Sequence, residues 1–275
     1  MEPITFKECF RGAWRDGLGA LRNRPLLCLT IAVIVLVTSA LSYSLRQLAV
    51  QATQLGEPTA YRLRIALMSL GVLLVNIVAF CVVAIQVYRY SILGPEAARQ
   101  HRWYGRDLWR YLWLAAQIFI SCVVVWFVLG FGTGLALRLS GNGNATATVA
   151  TLLVLLSCAM FFVIVRLSLI YPQVATGRSK QWRAAWHDSR GHFWSMFGTM
   201  IATMLPLVVG GFVVTLLYGL VLHLMPTATV LVLGTLILQV VLAIAWVAVA
   251  SATAAWIYRR HADRLLVLDD APDDI

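Results

Sequence analysis

The chain has 275 residues, of which 60% are hydrophobic and only 12% are charged, and its mean hydropathy is +0.80. A soluble domain of this length carries about 25% charged residues to cover its surface. Half that share cannot cover a water-exposed surface, so the composition indicates a lipid environment. The net charge of +10 does not indicate nucleic-acid binding, because the basic residues cluster beside apolar runs.

Six segments are long and apolar enough to cross the ~30 Å hydrocarbon core of a bilayer, which takes about 20 residues of helix. They contain one charged residue, Arg166. Runs this long without alternation exclude a membrane β-barrel. The prediction is an all-α polytopic membrane helix bundle, a single transmembrane domain over residues 1–258 with a short acidic tail at 259–275. The predicted spans are residues 26–45, 65–88, 111–137, 147–171, 193–222 and 228–258.

The Lys and Arg residues near the span ends predict the orientation. Seventeen of them fall on the side that holds the N-terminal segment and the tail, and four fall on the other side. This asymmetry predicts that both termini are cytoplasmic in a bacterial inner membrane. The first span is expected to be retained and not cleaved as a signal peptide, because the segment before it is long and contains acidic residues.

Three basic, aromatic segments on the predicted cytoplasmic side have helical spacing and are expected to lie in the headgroup layer. The first is residues 6–21, where aromatic and apolar side chains share one face and Lys7, Arg11 and Arg15 share another. The second surrounds Trp109, and the third surrounds Trp186. Together with Arg166 they supply the residues predicted to contact anionic lipid or a protein partner: Trp14, Arg15, Trp109, Arg110, Arg183, Trp186, Asp188 and Arg166.

Two of these segments align residue by residue. Arg, Ala, Trp, Asp and Gly recur at equal spacing in residues 10–19 and 182–191, while the middle copy is degenerate. The alignment indicates one interfacial helix plus one hairpin of spans, used three times in parallel orientation. An alternative is that any interfacial helix selects Trp and Arg.

The residues around the third segment also carry a resemblance to known proteins. The pattern consists of Arg166, Pro172, Ala185, Trp186, Ser189, residues 191–194 and Phe197. It resembles the membrane domain attached to some glycerophosphodiester phosphodiesterases, and small bacterial inner-membrane proteins related to it. The resemblance implies about six spans and no established activity for the membrane part. It does not imply catalysis here, because the acidic metal ligands of the phosphodiesterase domain are missing.

Motifs that carry catalysis are absent from the sequence: it has no HExxH, GxSxG, CxxC or phosphate-binding glycine-rich loop. The cysteines are expected to act as small apolar residues, and the five histidines do not cluster at metal-ligand spacing. No cofactor and no metal are predicted. Arg166 has two interpretations: it snorkels to the headgroups, or it holds a lipid phosphate or pairs with a carboxylate such as Asp188.

These observations favour a non-enzymatic membrane protein that acts through lipid or protein contacts at its cytoplasmic interface, with a membrane-protein partner or a homo-oligomer as further options. The alternative is a small-molecule transporter or permeability factor. That alternative requires a polar cavity at the midplane, where the spans offer only amides such as Asn76, Gln86, Gln117 and Gln239, and hydroxyls.

Overall fold

The computed structural model describes residues 4–100, 105–140, 145–224 and 229–262, and these ranges form ten α-helices. The predicted all-α, polytopic helix bundle is confirmed. The helices are α1 (Phe6–Asn23), α2 (Pro25–Gln54), α3 (Thr59–Leu93), α4 (Pro95–Gln100), α5 (Arg106–Ser140), α6 (Ala145–Leu167), α7 (Ile170–Ala175), α8 (Trp182–Asp188), α9 (Phe193–Leu224) and α10 (Thr229–His261). Most of the predicted acidic tail lies outside the described residues.

Five helices among the described residues, α2, α3, α5, α9 and α10, are long and apolar enough to cross a membrane. They coincide with five of the six predicted spans. The remaining predicted span, residues 147–171, falls on α6, where the apolar helix found among the described residues, Leu153–Leu167, is shorter than these five.

The fourth predicted span, residues 147–171, ends earlier than predicted, because α6 ends at Leu167 and a separate short helix, α7, follows. The break has a local cause. Pro172 has no N–H, and in a continuous helix its ring would clash with the carbonyl of Ser168. The chain tightens at this point: the Ser168 amide and hydroxyl both donate to the carbonyl of Val165, at 3.3 and 2.7 Å.

The hairpin between α2 and α3 is more helical than predicted. Helix α2 continues to Gln54 and α3 begins at Thr59, so Arg46, Arg62 and Arg64 lie within helices and not in a loop. A turn of four residues joins them, and Gly56 takes a positive φ of 68° there. The two helices therefore extend past the apolar segments at the end of the bundle remote from α1.

Helix α1 confirms the first predicted amphipathic helix. It starts with a capping box in which Thr5 and Glu8 satisfy each other's backbone N–H groups. It ends at Asn23 because Arg24 precedes a proline and takes an extended φ of −134°.

The middle amphipathic segment is not a separate helix, contrary to the prediction. Trp109 and Arg110 lie in the first turns of α5 and continue directly into a long apolar helix, and Trp103 lies outside the described residues. The third segment is the short helix α8, which ends before α9 begins at Phe193.

Helix α1 has a third face that its amphipathic pattern did not indicate. The face is made of small side chains and is buried against α10 and α3, while Leu18 is exposed and Phe10 and Trp14 are half-buried. A Cβ on Gly12 would overlap the Trp256 ring, and one on Gly17 would lie 3.2 Å from the Ala248 carbonyl oxygen. Small residues here let two backbones approach closely. The buried residues are Cys9, Gly12, Ala13, Asp16, Gly17 and Ala20.

The predicted three-unit repeat stays a prediction. Helix α8 packs on α6, and α4 packs on α3, the helix that it follows in the chain. Helix α1 packs on α10, so the first predicted unit contacts the third.

The largest of the buried apolar clusters in the described ranges lies at one end of the bundle. We call the end formed by α1, α4, α7 and α8 the basic end. Tyr88, Leu114, Leu169, Met196 and Tyr258 are at most 5% exposed there, and they come from four long helices and the turn between α6 and α7. Farther along the spans, large apolar side chains such as Phe127 and Leu217 are exposed, as expected of helices that face lipid.

Candidate functional site

Arg166 is held in a defined position at the basic end, where α6 finishes. Its side chain is buried, with 7% of the residue exposed. The guanidinium lies 4.0 Å from the centre of the Trp186 ring and 5.4 Å from that of Phe162, within cation–π range. Its Nε donates to Ser189 Oγ at 3.1 Å and its Nη2 donates to the Trp186 carbonyl at 2.9 Å. The side chain is therefore packed against α8 and does not extend freely toward the headgroups.

The contacts with α8 have an electrostatic reason. The last carbonyls of a helix lack intrahelical partners and carry partial negative charge, so a cation beside them is favourable. Arg166 supplies that cation to the carbonyl of Trp186, and Ser189 Oγ donates to the same carbonyl at 3.1 Å. Asp188, predicted as a possible partner of Arg166, is buried at the end of α8.

A cavity of about 460 Å³, which we call the Arg166 cavity, opens beside this contact. Its walls combine cationic and aromatic side chains from the end of α6, from α8 and from the turn after it. Two of the predicted contact residues, Arg183 and Trp186, lie in it together with Arg166. The lining residues are Arg166, Leu167, Trp182, Arg183, Trp186, His187 and Arg190.

A second, apolar cavity of about 750 Å³ runs between α5 and α6, and we call it the α5–α6 groove. Leu167 and Trp182 line both this groove and the Arg166 cavity, so the two spaces adjoin. Gln117 lines the groove and accepts a hydrogen bond from Lys180 Nζ at 3.2 Å, which places one more cation at the boundary. The other lining residues are Trp113, Ile118, Ile120, Ser121, Cys122, Val125, Ala159, Met160, Val163 and Ile164.

The remaining predicted contact residues lie elsewhere. Trp14 and Arg15 are on α1, where the Arg15 side chain is largely exposed and its Nε lies 3.1 Å from Asp16 Oδ1. The Trp14 Nε1 atom is buried and has no hydrogen-bond partner within the described part of the chain. Trp109 is 73% exposed on α5 and Arg110 is half-buried. The group at α6 and α8 is the one that lines the Arg166 cavity.

Arg89 is a buried arginine that the sequence-based prediction missed. It is 2% exposed, its Nη2 lies 2.6 Å from Asp107 Oδ2, and its Nε donates to the Ala175 carbonyl at 2.9 Å. It joins α3, α5 and α7. A sequence signal existed, because Arg-x-Ser-x-x-x-Pro occurs at residues 89–95 and again at 166–172. In both copies the arginine precedes a helix break and is fixed by a backbone carbonyl.

Some of the polar residues inside the spans make contacts between helices. Thr38 Oγ1 lies 2.8 Å from Asn76 Oδ1 and joins α2 to α3, while Gln86 Nε2 lies 3.5 Å from the Ala98 carbonyl. Gln239 is exposed. In the described ranges no group of three or more His, Cys, Asp or Glu residues could hold a metal ion, although the rings of His192 and His261 stack 4.7 Å apart.

Comparison of the chain with protein-family models, curated proteins and solved structures finds no match. The resemblance to the membrane domain of glycerophosphodiester phosphodiesterases stays a prediction.

Proposed function

We propose that this chain is a non-enzymatic, multi-pass protein of a bacterial inner membrane that binds an anionic phospholipid of the cytoplasmic leaflet. The headgroup phosphate occupies the Arg166 cavity and one acyl chain lies along the α5–α6 groove. Both termini and the basic end face the cytoplasm. The observation that carries the proposal is the junction of these two spaces at Leu167 and Trp182.

The charge of the cavity favours a phosphate. Arg166, Arg183 and Arg190 line it with no carboxylate among the lining residues. Guanidinium groups hold phosphate oxygens through pairs of parallel N–H donors. Within the described residues, two of the five N–H groups of Arg166 donate to protein, which leaves donors for a ligand. Each cation near an anionic leaflet adds about 1 kcal/mol of attraction.

The α5–α6 groove accommodates the acyl chain but adds little binding free energy. An acyl chain is equally apolar in the bilayer and in the groove, so moving it between them changes little free energy. Selectivity must come from the headgroup, where the protein supplies charge and hydrogen bonds. The proposed ligand is accordingly defined by its negative headgroup and not by its chain length.

The lining of the Arg166 cavity also favours binding over catalysis. General acid–base or nucleophilic chemistry needs a carboxylate, an activated hydroxyl or thiol, or a histidine with an orienting partner. The lining residues offer arginines, tryptophans, one leucine and His187. This set can hold and neutralise a phosphate, and it supplies no nucleophile.

The test compares lipids retained by the purified protein, measured by native mass spectrometry after gentle delipidation. We expect Arg166→Leu to lower anionic-lipid retention about tenfold, as loss of a charged hydrogen bond predicts. Arg166→Lys should lose less, because it keeps the charge but not the stacked, planar donor set. Arg62→Leu, an exposed arginine near the other end of the bundle, is the matched control.

Because Arg166 also supports α8, a second variant separates ligand binding from folding. Arg183→Gln combined with Arg190→Gln changes two exposed side chains of the cavity and should lower retention without changing the unfolding temperature. Wild-type retention in both this variant and Arg166→Leu would refute the proposal. A water-filled vestibule that reaches the midplane in an experimental structure would favour the transporter alternative.

A further inference from the structure

A further apolar cavity, separate from the α5–α6 groove, lies in the first hairpin, between α2 and α3. Its volume is about 760 Å³, within the range of roughly 300–1,000 Å³ typical of small-molecule sites. We call it the α2–α3 groove. Apolar side chains line it along its length, and one cationic side chain, Arg24, lies at its basic end. The lining residues are Arg24, Pro25, Leu26, Leu27, Thr30, Ile31, Ile34, Leu74, Val75, Val78, Ala79 and Val82.

The mouth of this groove is built by contacts between distant segments. The Arg24 guanidinium donates to the carbonyl of Arg99, and Arg99 Nε donates to Asn23 Oδ1 at 2.6 Å. Asn23 Nδ2 in turn donates to the Pro95 carbonyl at 3.1 Å. These bonds join the connection between α1 and α2 to α4, and they hold two arginines beside each other.

The positive charges at the mouth of the groove favour the binding of an anion. Burial, and then the charge of Arg99, lower the pKa of Arg24, so the guanidinium is desolvated beside a like charge. Helix α2 also begins here without a side-chain cap, and its first N–H groups add partial positive charge. A phosphate placed at the mouth would relieve the repulsion between the two arginines.

We propose that the α2–α3 groove is a second phospholipid site, in which Arg24 and Arg99 bind the phosphate of an anionic lipid and one acyl chain fills the groove. The chemistry is that of the Arg166 cavity, an arginine cluster at the basic end of an apolar space between the two helices of one hairpin. The residues that line this groove differ from those that line the Arg166 cavity and the α5–α6 groove, so each proposed site can be tested independently of the other. Charge complementarity selects a phospholipid over a second copy of this chain, because the mouth of the groove is cationic.

The experiment counts bound lipids on the full-length protein. Purified protein is equilibrated with vesicles of phosphatidylcholine containing a minor fraction of phosphatidylglycerol, and native mass spectrometry counts the phosphatidylglycerol molecules retained. Wild-type protein should retain two. Val78→Trp, which places an indole in the groove from a partly exposed position, should retain one. Leu73→Trp, on the same helix but outside the groove, should retain two.

Charge variants test the mouth of the groove independently. Arg24→Gln combined with Arg99→Gln should lower occupancy of the second lipid about tenfold, while the double lysine variant should keep most of it. Adding Val78→Trp to the Arg183→Gln, Arg190→Gln variant should remove both lipids. If Val78→Trp and the Arg24→Gln, Arg99→Gln variant each retained two lipids, the second site would be refuted and the Arg166 site would be unaffected. A loss confined to these groove variants, with none in the Arg183→Gln, Arg190→Gln variant or in Arg166→Leu, would support this site and refute the first.

Discussion

Trp256 donates a hydrogen bond from its indole Nε1 to Oδ2 of Asp16 at 2.9 Å, between residues separated by 240 positions in the chain. The bond is buried, and the Arg259 guanidinium lies over the ring of the same tryptophan, 4.6 Å from the ring centre. Helix α1 is thereby fixed to the end of α10. A similar contact occurs at α8, where Arg166 stacks on Trp186. There the tryptophan belongs to the short helix, whereas Trp256 belongs to the long helix α10.

Trp256→Phe should destabilise the protein because it leaves the buried Asp16 carboxylate without the indole donor. The expected loss is about 1.5–3 kcal/mol for a hydrogen bond to a charged group. In detergent this should appear as a fall of several degrees, roughly, in the unfolding temperature. Trp246→Phe is the matched control, since Trp246 is exposed on the same helix. Equal unfolding temperatures for the two variants would contradict this account of the contact.

Gly12→Val should weaken the same junction by steric overlap. A Cβ at this position would collide with the Trp256 ring, and overpacking of this kind costs about 1–3 kcal/mol. Gly71→Val on α3 should be tolerated, because a Cβ at this position has no neighbouring atom within 4 Å and valine favours a helix slightly more than glycine does. Yield of folded protein after size-exclusion chromatography measures both. A normal yield of Gly12→Val would show that α1 can shift away from α10.

The sequence predicted the elements that depend on local composition. The apolar runs predicted six spans, and five of them are long apolar helices in the structure, because lipid-facing residues must be apolar all along a span. The sequence also named Arg183 and Trp186 as candidate contact residues, and the structure brings both beside Arg166. The face of α1 that packs on α10 was missed, because Gly and Ala carry little hydropathy signal and the partner helix lies at the other end of the chain. Arg89 was missed because it directly follows a predicted span and was counted as a loop cation.

Asp107→Asn should destabilise the protein more than Glu96→Gln does. The Asp107 carboxylate pairs with Arg89, whose side chain is 3% exposed, so neutralising it leaves a buried charge less well compensated. Asp107 itself is 36% exposed, and water reduces the expected loss to about 1–3 kcal/mol. Glu96 is exposed on α4 and serves as the control carboxylate. In a double-mutant cycle with Arg89→Met, the combined loss should be smaller than the sum of the two single losses.

The orientation of the bundle decides which leaflet the Arg166 cavity faces. Because the sequence predicts 17 basic residues on one side of the membrane and four on the other, a fluorescent reporter fused after Ile275 should be active, and alkaline phosphatase fused there should be inactive. A phosphatase inserted at residues 141–144 should be active, and one inserted at Gly56 should behave in the same way, because α2 and α3 meet at the end remote from α1. An active phosphatase after Ile275 would show that the orientation is the reverse of the predicted one. The arginines at Arg166 and Arg24 would then face the periplasmic leaflet, and both lipid proposals would lose the anionic cytoplasmic surface on which they depend.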